Sequence, residues 1–376
     1  MTRNVLSPFC ATYLAVGGVS PFATVHDWVG QFLAAKTKAP GADTLGVEWL
    51  GAYIQCGHHK IDLHRFQVFL QDRVQNMWLR INQEVLYGID IHALGIELDL
   101  SPQPVDYSKI GNGPFSQGWD ILIDSGDSIR LQKALASTKD SFLKSPIDVE
   151  KAAVWLKSIH MVWQELFCLI HVLGSPFPQV FTEKLELLYS SSARRGDFFL
   201  VDGTLAIVNS YEGDRHSLIG EYKKRLRLLP HQLSVALMVM LRLIRPVELS
   251  VVLATSDMLE DKEKLLWNYR HVLYVSHGSR WHMDMVSGIW KDWIMRGMGV
   301  YLKIGQYRTL CKAWRAKYKT GDTIGWLGKI ADAQAGHSQS VSQKHYGRLD
   351  GIGGLDTAKA LVQKELCLNW HKWLGF

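Results

Sequence analysis

Five cysteines in 376 residues, odd in number and scattered at Cys10, Cys56, Cys168, Cys311 and Cys367, are too few and too far apart for a disulfide framework. That shortage points to a reducing, intracellular compartment, nuclear if the source is eukaryotic. Internal repeats and low-complexity tracts are lacking, and so is an uncharged apolar run long enough to cross a bilayer. The most apolar segment, LSVALMVMLRLIRPVELSVVLA, is interrupted by Arg242, Arg245 and Glu248 and reads as a buried core helix. The opening MTRNVLSPFCATYLAVGGVSPF has an Arg and a weak apolar run broken by Pro, so no signal peptide is expected. Neither a membrane nor a cofactor is an expected partner.

Hydrophobic residues make up 47% of the chain and charged ones 21%, an ordinary globular balance that excludes a disordered chain. Fourteen Trp is a high count, and most of these rings are expected to anchor the core. The net charge of +6 is compatible with a nucleic-acid partner without requiring one.

Periodicity gives a mainly α chain with a small antiparallel β-sheet, an α+β arrangement. VEWLGAYIQ and LHRFQVFLQDRVQNMWLRINQEVLYG carry apolar residues at three-to-four spacing, which predicts helices. A Pro-, Gly- and Ser-rich loop follows at LSPQPVDYSKIGNGPFSQG. After Pro146, Asp148 and Glu150 mark a helix N-terminus. The expected division is therefore near 144–149, with a helical domain over 1–145, to which the resemblance described below gives a DNA-binding role, and a second domain over 146–376. In that second part DFFLVDGTLAIVNSY is a hairpin turning at Asp202-Gly203, and HVLYVSHGSRW offers a further strand. The C-terminal DTAKALVQKELCLNWHKWLGF has an apolar stripe at Val362, Leu366, Trp370 and Trp373, a face through which the chain could form a homo-oligomer.

Two short stretches invite a chemical reading. CGHHKIDLH, from Cys56 to His64, holds candidate zinc ligands but no second pair at metal spacing, so no metal site is assigned. AGHSQSVSQKHYGRL is more specific. Ser340 to Gln343 has the spacing of a capping box, which places His337 in a turn and Tyr346 on the helix that follows. Nine residues on one unbroken helix would put the two side chains on opposite faces, so a shared site needs that break.

QYR at 306–308, AGHS at 335–338 and HY at 345–346 together resemble the catalytic domain of the tyrosine recombinase (phage integrase) family. The likeness is closest to the recombinase-like region upstream of fungal subtelomeric RecQ-type helicases, and it covers roughly residues 165–350. It implies that Tyr346 is the nucleophile on a DNA phosphate, that Arg308 clamps the phosphate and that His337 hydrogen-bonds it. It also implies a role in DNA recombination or integration, origin in a mobile element, and double-stranded DNA as partner, with Lys223, Lys224, Arg225, Arg227 and Arg315 as further DNA contacts.

Two departures bear on activity. RPVEL at 245–249 fits the first-Arg helix of the family literally, which makes Arg245 one candidate. The family's sheet, however, lies between its two Arg residues, and here the hairpin precedes Arg245. Order favours placing the first-Arg turn at VLGSPFPQVFTEKLELLY, 172–189, where Pro178 then occupies the Arg position. The Lys that acts as general acid after the hairpin is replaced by Gly213. Arg194, Arg195 or Arg215 could stand in for the clamp, and Lys223 or Lys224 for the acid. Losing one preorganised donor costs about a hundred- to a thousand-fold in rate, so a DNA-binding protein impaired in strand cleavage is expected. The alternatives are an active recombinase forming a 3′-phosphotyrosyl intermediate, and a protein-interaction module that kept the fold without DNA.

Overall fold

The computed structural model describes residues 47–100 (except 51, 52, 57, 58 and 99), 126–144 (except 140), 146–176, 181–189 (except 186), 198–212, 222–255, 261–318 and 357–376. Over these residues the chain is mainly helical with small antiparallel sheets. Contacts divide it into two compact units, Met1–Ile61 with Ser210–Lys223, and Asp62–Asn209 with Lys224–Phe376.

In the first unit the expected helix at VEWLGAYIQ is instead a hairpin. Strands β1 (Val47–Leu50) and β2 (Tyr53–Cys56) pair antiparallel, with Leu50 opposite Tyr53, and β3 (His59–Asp62) adds a third strand beside β2. Val47, Trp49, Tyr53 and Ile54 are strong strand formers, and a run this short cannot distinguish helical spacing from alternation.

The second unit begins with helix α1 (Leu63–Arg80), capped by the Asp62 carboxylate, which accepts from the Arg65 N–H at 3.1 Å. It buries Phe66, Leu70, Val74 and Met77, then passes into a π-helical turn, Ile81–Val85. Helix α2 (Gly126–Ser137) follows, and then α3 (Val149–Leu173), capped by Asp148 accepting from the Lys151 N–H at 3.1 Å. Segment 144–149 lies inside this unit, where α1 packs along α3. Trp155 Nε1 donates to Val85 O at 2.9 Å, and the Ser158 hydroxyl to Glu84 Oε2 at 2.8 Å.

After a short helix α4 (Phe181–Leu185), strands β4 (Phe198–Val201), β5 (Thr204–Glu212) and β6 (Tyr222–Leu228) form an antiparallel sheet in that order. Val201 pairs with Thr204 across a two-residue turn in which Asp202 (φ 48°) and Gly203 (φ 73°) are both left-handed, as a type I′ turn requires. The next segment, helix α5 (His231–Met238), a π-helical turn (Val239–Ile244) and helix α6 (Arg245–Thr255), is buried on nearly every side, the mark of a core helix. Helix α7 (Lys262–His271), a small hairpin of β7 (Val275–Ser276) and β8 (Ser279–Arg280), and helices α8 (Met283–Met298), α9 (Ile304–Tyr318) and α10 (Thr357–Leu374) complete the unit. None of the described helices is long and apolar enough to span a membrane.

Helix α10 closes the sheet: Ala360 and Cys367 pack with Phe199, Val201, Ala206, Val208, Leu226 and Leu228, and Gln363 Oε1 accepts from the Leu226 N–H at 2.7 Å. Its stripe of Val362, Leu366 and Trp370 is buried within its own chain, while Leu361 and Leu368 stay exposed. Sheet and core helix are joined at Ser234, fully buried, whose hydroxyl accepts from the Leu205 N–H at 2.9 Å and donates to Pro230 O at 3.1 Å. Ser234→Ala orphans a buried backbone N–H and should cost about 1–3 kcal/mol of unfolding free energy in urea titration. A change within a few tenths of a kcal/mol would show that this junction carries no weight.

Candidate nucleic-acid interface

Helix α3 runs toward the sheet and stops at Gly174, where a Cβ would stand 2.7 Å from Ile170 O and 3.8 Å from the Cβ of Arg227. The tight contact is with the last turn of α3 itself, while β6 lies at ordinary contact distance. The last carbonyls of α3 carry the negative end of its dipole and are occupied by donors from α10. Trp370 Nε1 donates to Val172 O at 2.9 Å, His371 Nε2 meets Leu173 O at 2.8 Å, and the Cys367 thiol meets Gly174 O at 3.4 Å.

Basic side chains collect around the same helix end. Lys184, from α4, is fully buried; its amine donates to Phe167 O and lies 4.2 Å from the centre of the Phe167 ring. Burial holds its pKa well below the usual Lys value, and the nearby Arg227 guanidinium pushes it the same way. Arg227, from β6, is 4% exposed. Arg308 lies on α9, half-buried, next to a Tyr307 that is fully enclosed. Between them sits His171, whose ring is 5.1 Å from Phe181 and from Trp290 and 6.1 Å from Tyr307. Burial, then the charges of Lys184, Arg227 and Arg308, hold its pKa well below the usual His value. The adjacent Cys168 thiol is pushed up to about 12 by burial, which makes it inert.

Of the residues singled out from sequence, Arg227 and Arg308 are thus brought to one place. Lys223, Lys224 and Arg225 lie on β6 and Arg315 on α9, with side chains outside the described residues. His337 and Tyr346 lie outside the described residues, as do Pro178, Gly213, Arg194, Arg195 and Arg215. Among the described residues no three His, Cys, Asp or Glu side chains gather as a metal site.

Arg245, the alternative first Arg, is sealed in the core at 0% exposure. Its guanidinium pairs with Glu248 at 3.2 Å, donates to Leu273 O at 2.8 Å and lies 4.4 Å from the Trp163 ring centre and 5.3 Å from that of Tyr269. Sequence reasoning passed over Lys184 and His171. The signal for Lys184 was present, a lone Lys between Phe181 and Leu185 in the segment searched for an Arg. His171 gave no sign, because a His on an apolar face is ordinarily a core residue.

Comparison with protein-family models, curated proteins and solved structures gives no match.

The enclosure of Arg245 gives a direct expectation for stability. Arg245→Met leaves the buried Glu248 carboxylate without its cation and should lower the unfolding free energy by about 3–5 kcal/mol, whereas Arg245→Met with Glu248→Leu should cost markedly less. Equal losses in the single and double variants, measured by urea unfolding, would contradict the pairing.

Proposed function

We propose that this chain binds double-stranded DNA through its phosphates, using a degenerate tyrosine-recombinase-like domain derived from a mobile element and impaired in strand cleavage. The observation that supports it is the gathering of Lys184, Arg227 and Arg308 at the end of α3. These come from the three segments in which the resemblance expects phosphate chemistry: the first-Arg turn, the strand after the hairpin, and the QYR helix. The order of elements agrees as well, with the β4–β5–β6 sheet lying between 172–189 and Arg308.

In this reading Arg308, the more exposed of the three, takes the phosphate oxygen. Arg227 stands behind it and adds positive potential in a buried setting, where it is screened least. Lys223, Lys224, Arg225 and Arg315 position the duplex through further phosphates, without reading sequence. Tyr346 and His337 complete the site. Pro178 and Gly213 leave it without the second clamp and the general acid, so the tyrosine contacts DNA without cutting it. A homo-oligomer through α10 would have Leu361 and Leu368 to use.

Binding of this kind is electrostatic and falls steeply with salt. Arg308→Ala with Lys223→Ala and Lys224→Ala should weaken affinity for duplex DNA by well over tenfold. It should also make the slope of log affinity against log salt shallower by about two to three. Unchanged affinity and slope, in a variant with the wild-type circular dichroism spectrum, would overturn the reading and favour an interaction module.

A further inference from the structure

His171 occupies a box of aromatic rings whose last wall belongs to α9. It is 4% exposed, and neither ring nitrogen has a hydrogen-bond partner among the described residues. Phe181 from α4 and Trp290 from α8 form two sides at 5.1 Å. Tyr307 from α9 forms the third at 6.1 Å and itself packs on Trp290 at 5.1 Å. The same wall is tied to α8 by Trp290 Nε1, which donates to Leu302 O just before α9 at 2.9 Å.

Such a box holds an uncharged imidazole comfortably. Aromatic faces alone could accept an imidazolium, but the charged groups that reach His171 are Lys184 from α4, Arg227 from β6 and Arg308 from α9, all basic. Among the described residues the other titratable groups with shifted pKa values near this helix end are Cys168 of α3, Tyr274 before β7, Cys311 and Tyr307 of α9, and Cys367 and His371 of α10, none of them a carboxylate. A proton on His171 would add positive charge to a basic cluster and leave two buried N–H donors with nothing to donate to.

We infer that His171 is an acid-sensitive latch: uncharged, it holds α9 and Arg308 against the end of α3, and once protonated it releases α9. This regulates the proposed phosphate site and takes its relevance to DNA from that reading, but the latch itself can be tested without DNA. The sign follows from linkage. A His whose pKa is depressed in the closed state binds its proton only on opening, so acid favours the open state from about pH 6.5 downward. With an open-state pKa of about 6.5, opening should become about tenfold more populated between pH 7.5 and 5.5. His371, which burial pulls to about 4, also favours opening in acid, but it sits on α10.

The test is hydrogen exchange followed by mass spectrometry on the full chain at pH 7.5, 6.5 and 5.5, corrected for intrinsic rates. Peptides from α9 should open about tenfold more at pH 5.5 than at 7.5 while those of α5 and α6 stay protected, and His171→Phe should abolish the difference. Acid opening of α9 that persists in His171→Phe would overturn the proposal. So would a wild-type α9 whose protection is flat with pH, or falls only together with α5 and α6; if His171→Phe does not fold, the wild-type pattern decides. Selective α9 opening in a protein that binds no duplex at any pH would keep the latch and remove the DNA reading.

Discussion

A guanidinium enclosed in a helical core must have its charge and its donors met there, or the fold loses several kcal/mol. Arg245 is met by four residues at once, with only its Nε left unpaired among the described residues. Glu248 neutralises it from the next turn of α6, Leu273 O accepts from it after α7, Trp163 of α3 stacks beneath it, and Tyr269 of α7 flanks it. The network extends outward: Tyr269 donates to Glu248 Oε1 at 3.2 Å, and the Tyr189 hydroxyl donates to Tyr269 O. Burial still pushes the Glu248 carboxyl above the usual range, with Arg245 and the Tyr269 hydroxyl opposing it. This cluster fixes the core helix against α3 and so determines where the end of α3 lies. A second buried carboxylate does the same from the other side: Glu165 of α3 pairs with Arg73 of α1 and accepts from Trp293 Nε1 of α8 at 2.9 Å.

Because both clusters grip α3, its C-terminal end is a fixed point, and the basic groups around it have two physical roles. The last peptide carbonyls of a helix favour nearby donors and cations by themselves, and those of α3 are met by Trp370, His371 and Cys367. Lys184 donates to Phe167 O, ahead of the last four carbonyls of α3. Arg308, half-buried on α9, is the most exposed of these basic groups, and it is the one to which the proposed function gives a phosphate.

Much of this fold could be read from the sequence, and what could not has physical causes. The Asp202-Gly203 hairpin, the helix starting at Asp148, the apolar helix around Arg245 and the stripe of α10 all followed from local chemistry, with few residues needed for each. The β1–β2 hairpin was misread as helix because nine residues with five large aromatic or aliphatic groups satisfy both periods. Which face of α10 would be buried was legible; that the stripe would serve the β4–β6 sheet of its own chain was not, since nothing local encodes a partner so distant in sequence. The same limit hid the cluster at the end of α3. Arg227 and Arg308 drew attention through neighbouring basic residues and a motif, whereas Lys184 and His171 acquire significance only when four separate segments meet.

The central claim is a phosphate site that holds DNA without breaking it, and a nicked duplex tests that most directly. Incubation with duplexes whose nick traps any covalent intermediate, followed by denaturing gels, should show retention of DNA under native conditions and no phosphotyrosyl adduct at Tyr346. An adduct that forms with the wild-type chain and disappears in Tyr346→Phe would contradict the account and establish an active strand-cleaving enzyme.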